Sequence, residues 1–282
     1  MEFIRTFTEE FEVGDAARLT VENRSGTISV RGEETARVRV EVVARLWAED
    51  EREADDQEEL VRRGIRSEGR HVTVRAPSLL RPRPFLFFGR GPRIDYLMTV
   101  PRATEGEVAS RSGRVEVANV TGPLAIEARS GRVALSDIAG DVQIDSRSGG
   151  VQVESIGGRL TINSRSGTVR VDGCAGDVNV QTRSGALQLS ELCAGLQVEQ
   201  RSGSVRYDGD VCGPFDINLA SGSIRLAVDP NSSFFLDAET TSGSVRSDLP
   251  LQRGKTAPDA PRKGAPTVRI RARSGNIHIT TR

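Results

Sequence analysis

The tripeptide Arg-Ser-Gly closes at Gly113, Gly131, Gly149, Gly167, Gly185 and Gly203, each 18 residues after the last. Ser-Gly returns at Gly222, Gly243 and Gly275, and an earlier copy, Arg24-Ser25-Gly26, precedes Thr27-Ile28-Ser29-Val30. A fixed period constrains the fold more than any single motif, because each residue class that recurs with it must occupy one environment repeatedly. Aligned on the glycine, every period holds two short alternating runs. One recurs as Val115/Val117, Val133/Leu135, Val151/Val153, Val169/Val171, Leu187/Leu189 and Val205/Tyr207. The other recurs as Leu124/Ile126, Val142/Ile144, Leu160/Ile162, Val178/Val180, Leu196/Val198 and Phe215/Ile217. Alternation of this kind marks a strand with one buried face. A third apolar column, Val120, Ile138, Ile156, Cys174 and Leu192, sits in the bend between the runs. Glycines at Ser-Gly and near Gly122, Gly140, Gly158 and Gly176 suit corners that need positive φ.

Short strands of this sort fit an antiparallel meander or a solenoid in which one period is one coil. The columns select the solenoid: like residues 18 apart gain by lying one above another, about 4.8 Å apart, in parallel register. A single coil does not fold alone, since about five buried side chains at roughly 1.5–3 kcal/mol each do not offset ordering its residues at about 1.5 kcal/mol apiece. The expected architecture is therefore all-β, a parallel β-solenoid of 18-residue coils over residues 101–282, wound right-handed by the crossover preference.

Residues 1–100 lack that register but carry strand-like runs at Arg18–Val21, Thr27–Val30, Arg37–Leu46 and His71–Arg75. They read as a strand-rich capping region that blunts the open edge of the sheets. Ala48–Arg63, rich in Glu, Asp, Ala and Gln, is predicted as one helix with a solvated charged face. Residues 77–92 form a Pro-rich, Arg-flanked loop holding Phe85, Phe87 and Phe88, read either as packing over an open end or as an exposed anchor. Residues 252–266, a Pro, Gly, Ala and Lys segment, read as a flexible insertion before a last coil from Val268 to Ile279.

Composition closes off several classes. The 282 residues carry 39 basic and 39 acidic side chains, so no net charge draws in phosphate and nucleic-acid binding by bulk electrostatics is not expected. With 37% apolar residues there is enough to bury a core, which argues against disorder. No apolar run is long enough to span a membrane, and the acids in MEFIRTFTEEFEV leave no room for a secretory signal, giving a cytoplasmic expectation.

Arg111, Arg129, Arg147, Arg165, Arg183 and Arg201 are expected to form a ladder along one edge. Guanidinium groups about 5 Å apart repel by close to 1 kcal/mol per pair even in water, so something must compensate. Two readings are open. Carboxylates two positions earlier, Glu127, Asp145 and Glu199, interleave with the ladder, or an anionic polymer or lipid headgroup lies along it. Cys174, Cys193 and Cys212 fall near one corner of successive coils and read as reduced core residues; without a Cys-x-x-Cys pair or nearby His, a metal site is not expected. His71 and His278 lie in separate strands and read as structural. No phosphate-binding loop, nucleophile elbow, His-Glu-x-x-His pair or calcium nonapeptide is present, and no cofactor is expected. The serines preceding each turn glycine are too regular for nucleophiles and are expected to hydrogen-bond the turn backbone. Asp141 and Asp177 share a column and would be the pair for sugar chemistry if the chain were an enzyme, which is not expected.

The units Ser130-Gly131-Arg132-Val133-Ala134-Leu135 and their repeats, entered through Tyr96-Leu97-Met98-Thr99-Val100-Pro101, resemble the bacterial β-strand-repeat family of adhesin type, a domain of unknown function. The resemblance runs from about Leu19 to the C-terminus. It implies a β-solenoid, a bacterial source, an interaction role and association with the cell envelope, and it brings no catalytic residues. The expected function is a non-enzymatic module presenting its repeat surface to a protein, polysaccharide or envelope partner. The alternatives are an intracellular scaffold that self-associates through coil edges and a carbohydrate-active enzyme.

Overall fold

The computed structural model describes residues 1–77, 92–229, 232–249 and 265–282. The chain forms two compact units, Met1–Ala134 and Leu135–Arg282.

The first unit contains β1 (Glu2–Glu12), β2 (Arg18–Glu33), β3 (Arg37–Trp47), α1 (Glu51–Arg63), β4 (Ile65–Glu68), β5 (His71–Arg75), β6 (Arg93–Pro101) and β7 (Glu105–Val120). Its strands are ordered β1-β3-β6-β2-β7. β1 and β3 are antiparallel, as are β3 and β6. β2 is parallel to β6 and β7, and its pairs Gly26↔Gly113, Ile28↔Val115 and Val30↔Val117 make the isolated first Arg-Ser-Gly copy a coil of the repeat geometry. The capping region thus already contains a coil, which the long insertion between β2 and β7 hides from a search for a constant period.

Helix α1 begins at Glu51, after Ala48, because the Ala48 amide donates to the Met1 carbonyl and prolongs the β1–β3 pairing. Asp50 caps the helix by accepting from the Glu53 amide, and Arg62 and Arg63 face its negative end. Its charged face is ion-paired to β1 instead of wholly solvated. Arg5 reaches Glu51 at 3.1 Å and Asp55 at 2.8 Å, while Arg62 reaches Glu9 at 2.8 Å and covers the Phe7 ring at 3.9 Å.

Strand β8 (Leu124–Ile138) carries the chain from the first unit into the second. The second unit then holds β9 (Val142–Ile156), β10 (Leu160–Cys174), β11 (Val178–Leu192), β12 (Leu196–Gly209), β13 (Phe215–Val228), β14 (Phe235–Ser242), β15 (Val245–Ser247) and β16 (Thr267–Thr281). From β9 to β13 each strand is parallel to the next, with Val151↔Val169↔Leu187↔Val205 and Val142↔Leu160↔Val178↔Leu196 in register. Residues 18 apart therefore lie on one another, as the columns require. One extra residue after β12 changes the step to Leu196↔Phe215. The inward columns are almost fully buried, including Ile144, Ile162, Val180, Val198 and Ile217.

Each Ser-Gly corner needs glycine twice over. Gly167 has φ of 128°, and a Cβ there would sit 1.8 Å from the Gly149 carbonyl oxygen. The opposite corner differs from the expectation. Its positive φ is borne by Asn119, Asp137, Ser155, Gly173 and Glu191 at 59°, 56°, 55°, 76° and 51°, whereas Gly176 has no such φ and is required because a Cβ would lie 2.4 Å from the Gly158 oxygen.

The end of the chain also departs from sequence order. β16 pairs with β13 through Gly222↔Gly275 on one side and with β14 and β15 through Ser242↔Ser274 and Val245↔Ile277 on the other. The coil expected to be last in the stack is inserted before its predecessor. The Ser-Gly corners at Gly243 and Gly275 are chemically equivalent, so the residue columns accept either order. Of the two expected loop segments, 78–91 and 252–264 fall outside the described residues.

Candidate functional site

The Arg-Ser-Gly corner fixes where its arginines emerge. In the second unit the flanking pairs Ser146↔Ser164↔Thr182↔Gln200 and Ser148↔Ser166↔Ser184↔Ser202 set Arg147, Arg165, Arg183 and Arg201 on four successive rungs, spaced by about 4.8 Å. All four are exposed. The turn serines staple the rungs, since the Ser166, Ser184 and Ser202 hydroxyls each donate at 3.4 Å to the carbonyl of Arg147, Arg165 and Arg183 on the preceding coil. In the first unit Ser130 does the same to Arg111 at 3.0 Å, and both Arg111 and Arg129 are exposed.

Among the described residues, Arg147, Arg165, Arg183 and Arg201 make no ion pair. Asp145 accepts from the Gln143 and Asn163 amides at 3.0 and 2.9 Å, and among the described residues neither Asp145 nor Glu199 forms an ion pair with the ladder. Beside the arginines runs an outward column of two amides, Asn163 and Gln181, between two carboxylates, Asp145 and Glu199. The result is a surface of hydrogen-bonding groups edged by four guanidinium groups that make no ion pair among the described residues. On the β13 rung the arginine is replaced by Ala220.

The remaining candidates are dispersed. Phe85, Phe87 and Phe88 lie outside the described residues. Asp141 and Asp177 serve the corners, their carboxylates accepting from the Arg159 amide at 2.8 Å and the Gly195 amide at 3.0 Å on the next coil. Of the cysteines, only Cys174 is buried; its thiol donates to the Gly176 carbonyl, and burial pushes its pKa up to about 11. Cys193 and Cys212 are exposed, contrary to the reading of three core residues. Leu192 stacks on Cys174, so a 19-residue step carries Cys193 one position beyond the buried column. His71 bonds Thr20 at 3.0 Å within the first unit. Among the described residues no group of three His, Cys, Asp or Glu side chains is placed to share a metal ion.

One set of basic residues escaped the sequence reading. Arg206, Arg225, His278 and Arg246 occupy a single outward column on adjacent rungs, through Arg206↔Arg225, Arg225↔His278 and Arg246↔His278. The available signal was the recurrence of Gly-Ser-Val-Arg, Gly-Ser-Ile-Arg and Gly-Ser-Val-Arg at residues 203–206, 222–225 and 243–246.

These features define a parallel β-solenoid module with exposed repeat columns. The chain belongs to the Toastrack DUF4097 family, whose model matches residues 16–280. Among solved structures it is similar to a "putative adhesin" from Bacteroides fragilis at 12% identity, covering 99% of this chain and 97% of that one with a TM-score of 0.45. It is also similar to a "putative cell adhesion protein" from Clostridium sporogenes at 11% identity, covering 99% and 100% with a TM-score of 0.29. No curated protein matches the chain.

Proposed function

We propose that this chain is a non-enzymatic, adhesion-type module whose second unit binds a linear polyanion along Arg147, Arg165, Arg183 and Arg201. The observation that carries this reading is the set of four exposed guanidinium groups on consecutive rungs with no carboxylate partner among the described residues. Mutual repulsion of about 1 kcal/mol per adjacent pair is tolerated by the fold and removed when anionic groups lie between the rungs. The corner roles of Asp141 and Asp177 support a binding role over sugar hydrolysis, because each carboxylate is committed to a backbone amide. No helix among the described residues is long and apolar enough to cross a membrane.

The test replaces Arg147, Arg165 and Arg183 together by Gln and measures retention on an immobilised acidic polysaccharide across a salt gradient. Elution at clearly lower salt with an unchanged circular-dichroism spectrum is expected; elution with the wild type would overturn the reading. A second reading, end-to-end self-association, has one specific support. Among the described residues, β14 ends the strand order of its unit with one side unpaired. Light scattering that shows growth in size with concentration would favour it.

A further inference from the structure

We propose that Arg206, Arg225, His278 and Arg246 form a second binding site, distinct from the ladder above, for an acidic polysaccharide bearing carboxylates and hydroxyls on one chain. The site exists only because β16 is inserted between β13 and β14. That topology brings residues 206, 225, 278 and 246 onto four neighbouring rungs in that spatial order, a run of about 14 Å at strand spacing. Val205, Ile224 and Ile277 point inward, the last two at no more than 1% exposure, so the residues on either side of them point out. One side of each inward residue carries the cationic or imidazole group. The other carries Ser204, Ser223, Asn276 or Ser244, and Ser244 ties this second column together by donating to Asn276 Oδ1 from its amide at 3.1 Å and its hydroxyl at 3.0 Å.

Among the described residues the arginines of this column have no ion-pair partner. Arg206, Arg225 and Arg246 are exposed and make no ion pair among the described residues. In the next outward column Asp208 is already held by Arg282 at 2.6 Å, and the two following rungs carry Ala227 and Thr280. Asp248 lies at the far end and forms no ion pair among the described residues. The same column changes character lower in the stack. There Arg170 sits between Gln152 and Gln188 and donates to the Gln188 carbonyl oxygen at 3.0 and 2.6 Å. An arginine satisfied by amides thus gives way, from β12 onward, to three arginines without an ion pair among the described residues, with the His278 imidazole between the second and the third.

The chemistry selects the ligand class. Each rung offers one cation or imidazole and one hydroxyl or amide, which matches a chain whose every unit carries both a carboxylate and hydroxyl groups. A lipid surface would call for apolar anchors beside the cations. Among the described residues the exposed large apolar side chains are Met1, Ile4, Trp47, Leu60 and Leu97, all in the first unit.

The experiment uses the full chain and titrates polygalacturonate oligomers into wild type, R206Q/R225Q/R246Q and R147Q/R165Q/R183Q by calorimetry, with neutral dextran and vesicles of phosphatidylglycerol as comparison ligands. The proposal expects R206Q/R225Q/R246Q to weaken polygalacturonate binding at least tenfold and to flatten its salt dependence, with no change in the unfolding midpoint. The smaller variant R225Q/H278Q reads the same site and should lose at least threefold if the triple proves unstable. Unchanged affinity in these variants overturns the second site, and does so while leaving the ladder intact if R147Q/R165Q/R183Q alone loses binding. Loss in R206Q/R225Q/R246Q with retention in R147Q/R165Q/R183Q supports this site and removes the ladder. Binding to vesicles but not to polygalacturonate, or equal binding to dextran, overturns the assigned ligand class.

Discussion

Around its helix the first unit pairs its charges with one another, whereas along its regular columns the second leaves arginines facing out. Around α1 and β1 in the first unit, Arg5, Arg62 and Arg63 each meet a carboxylate, and Arg45 and Arg93 share Asp95. In the second unit the ion pairs gather on Arg269, Arg271 and Arg282, while the arginines of both regular columns have none among the described residues. The difference follows from symmetry. Antiparallel pairing brings unlike sequences together and lets opposite charges meet, whereas parallel coils in strict register set each residue beside its own equivalent. A repeating arginine therefore meets arginine, and its counter-charge must come from the next column, from salt or from a ligand.

The comparison can be broken hardest at the corners. Gly167→Ala puts a Cβ into the Gly149 carbonyl at a φ that side chains avoid, and should cost at least ~3 kcal/mol in denaturant unfolding. Gly150→Ala, with nothing within 4 Å and no positive φ, should stay within about 0.5 kcal/mol. Equal losses at the two positions would remove the claim that stacking sets the glycine requirement.

A smaller effect separates the two uses of charge. Arg62→Ala should destabilise by about 1 kcal/mol, through lost contact with Phe7 as well as screened bridges to Glu9 and Glu58. Arg165→Ala should be neutral or slightly stabilising, more so at low salt, because it removes only repulsion. A loss at Arg165 as large as that at Arg62 would show that the ladder is paired after all.

The smallest effects concern the thiols. Cys193 and Cys212 should react with a disulfide reagent in the native protein, with Cys174 reacting only on unfolding. Burial holds the proton on Cys174 up to a pH of about 11 when folded, against about 9 for an ordinary thiol. The folded state therefore binds more protons in that window, and its contribution to stability is present below pH 9 and lost as pH rises through 11. Cys174→Ala should flatten that alkaline decline in an unfolding series from pH 8 to 11.

The repeating core was legible in the sequence because Val169, Leu187 and their equivalents report burial at a constant interval. The Arg147–Arg201 ladder was legible for the same reason. Three features were not. The left-handed residues of the second corner, Asn119, Asp137, Ser155, Gly173 and Glu191, are of five different types, so no single residue marks that position along the sequence. Cys193 reads as a core position until the one-residue offset from Leu192 is known. The Arg206–Arg246 column depends on β16 being out of sequence order, and equivalent Ser-Gly corners carry no record of which coil stacks on which.

That out-of-order strand also sets a sequence of events during synthesis. Residues 235–247 leave the ribosome before the strand that will pair with them exists, and β13 meanwhile offers them a matching but incorrect neighbour. Release of Thr267–Thr281 must displace or pre-empt that pairing, so the final coils have a built-in kinetic competition. Slow translation just after Ser247 would be expected to lengthen the life of the misregistered form.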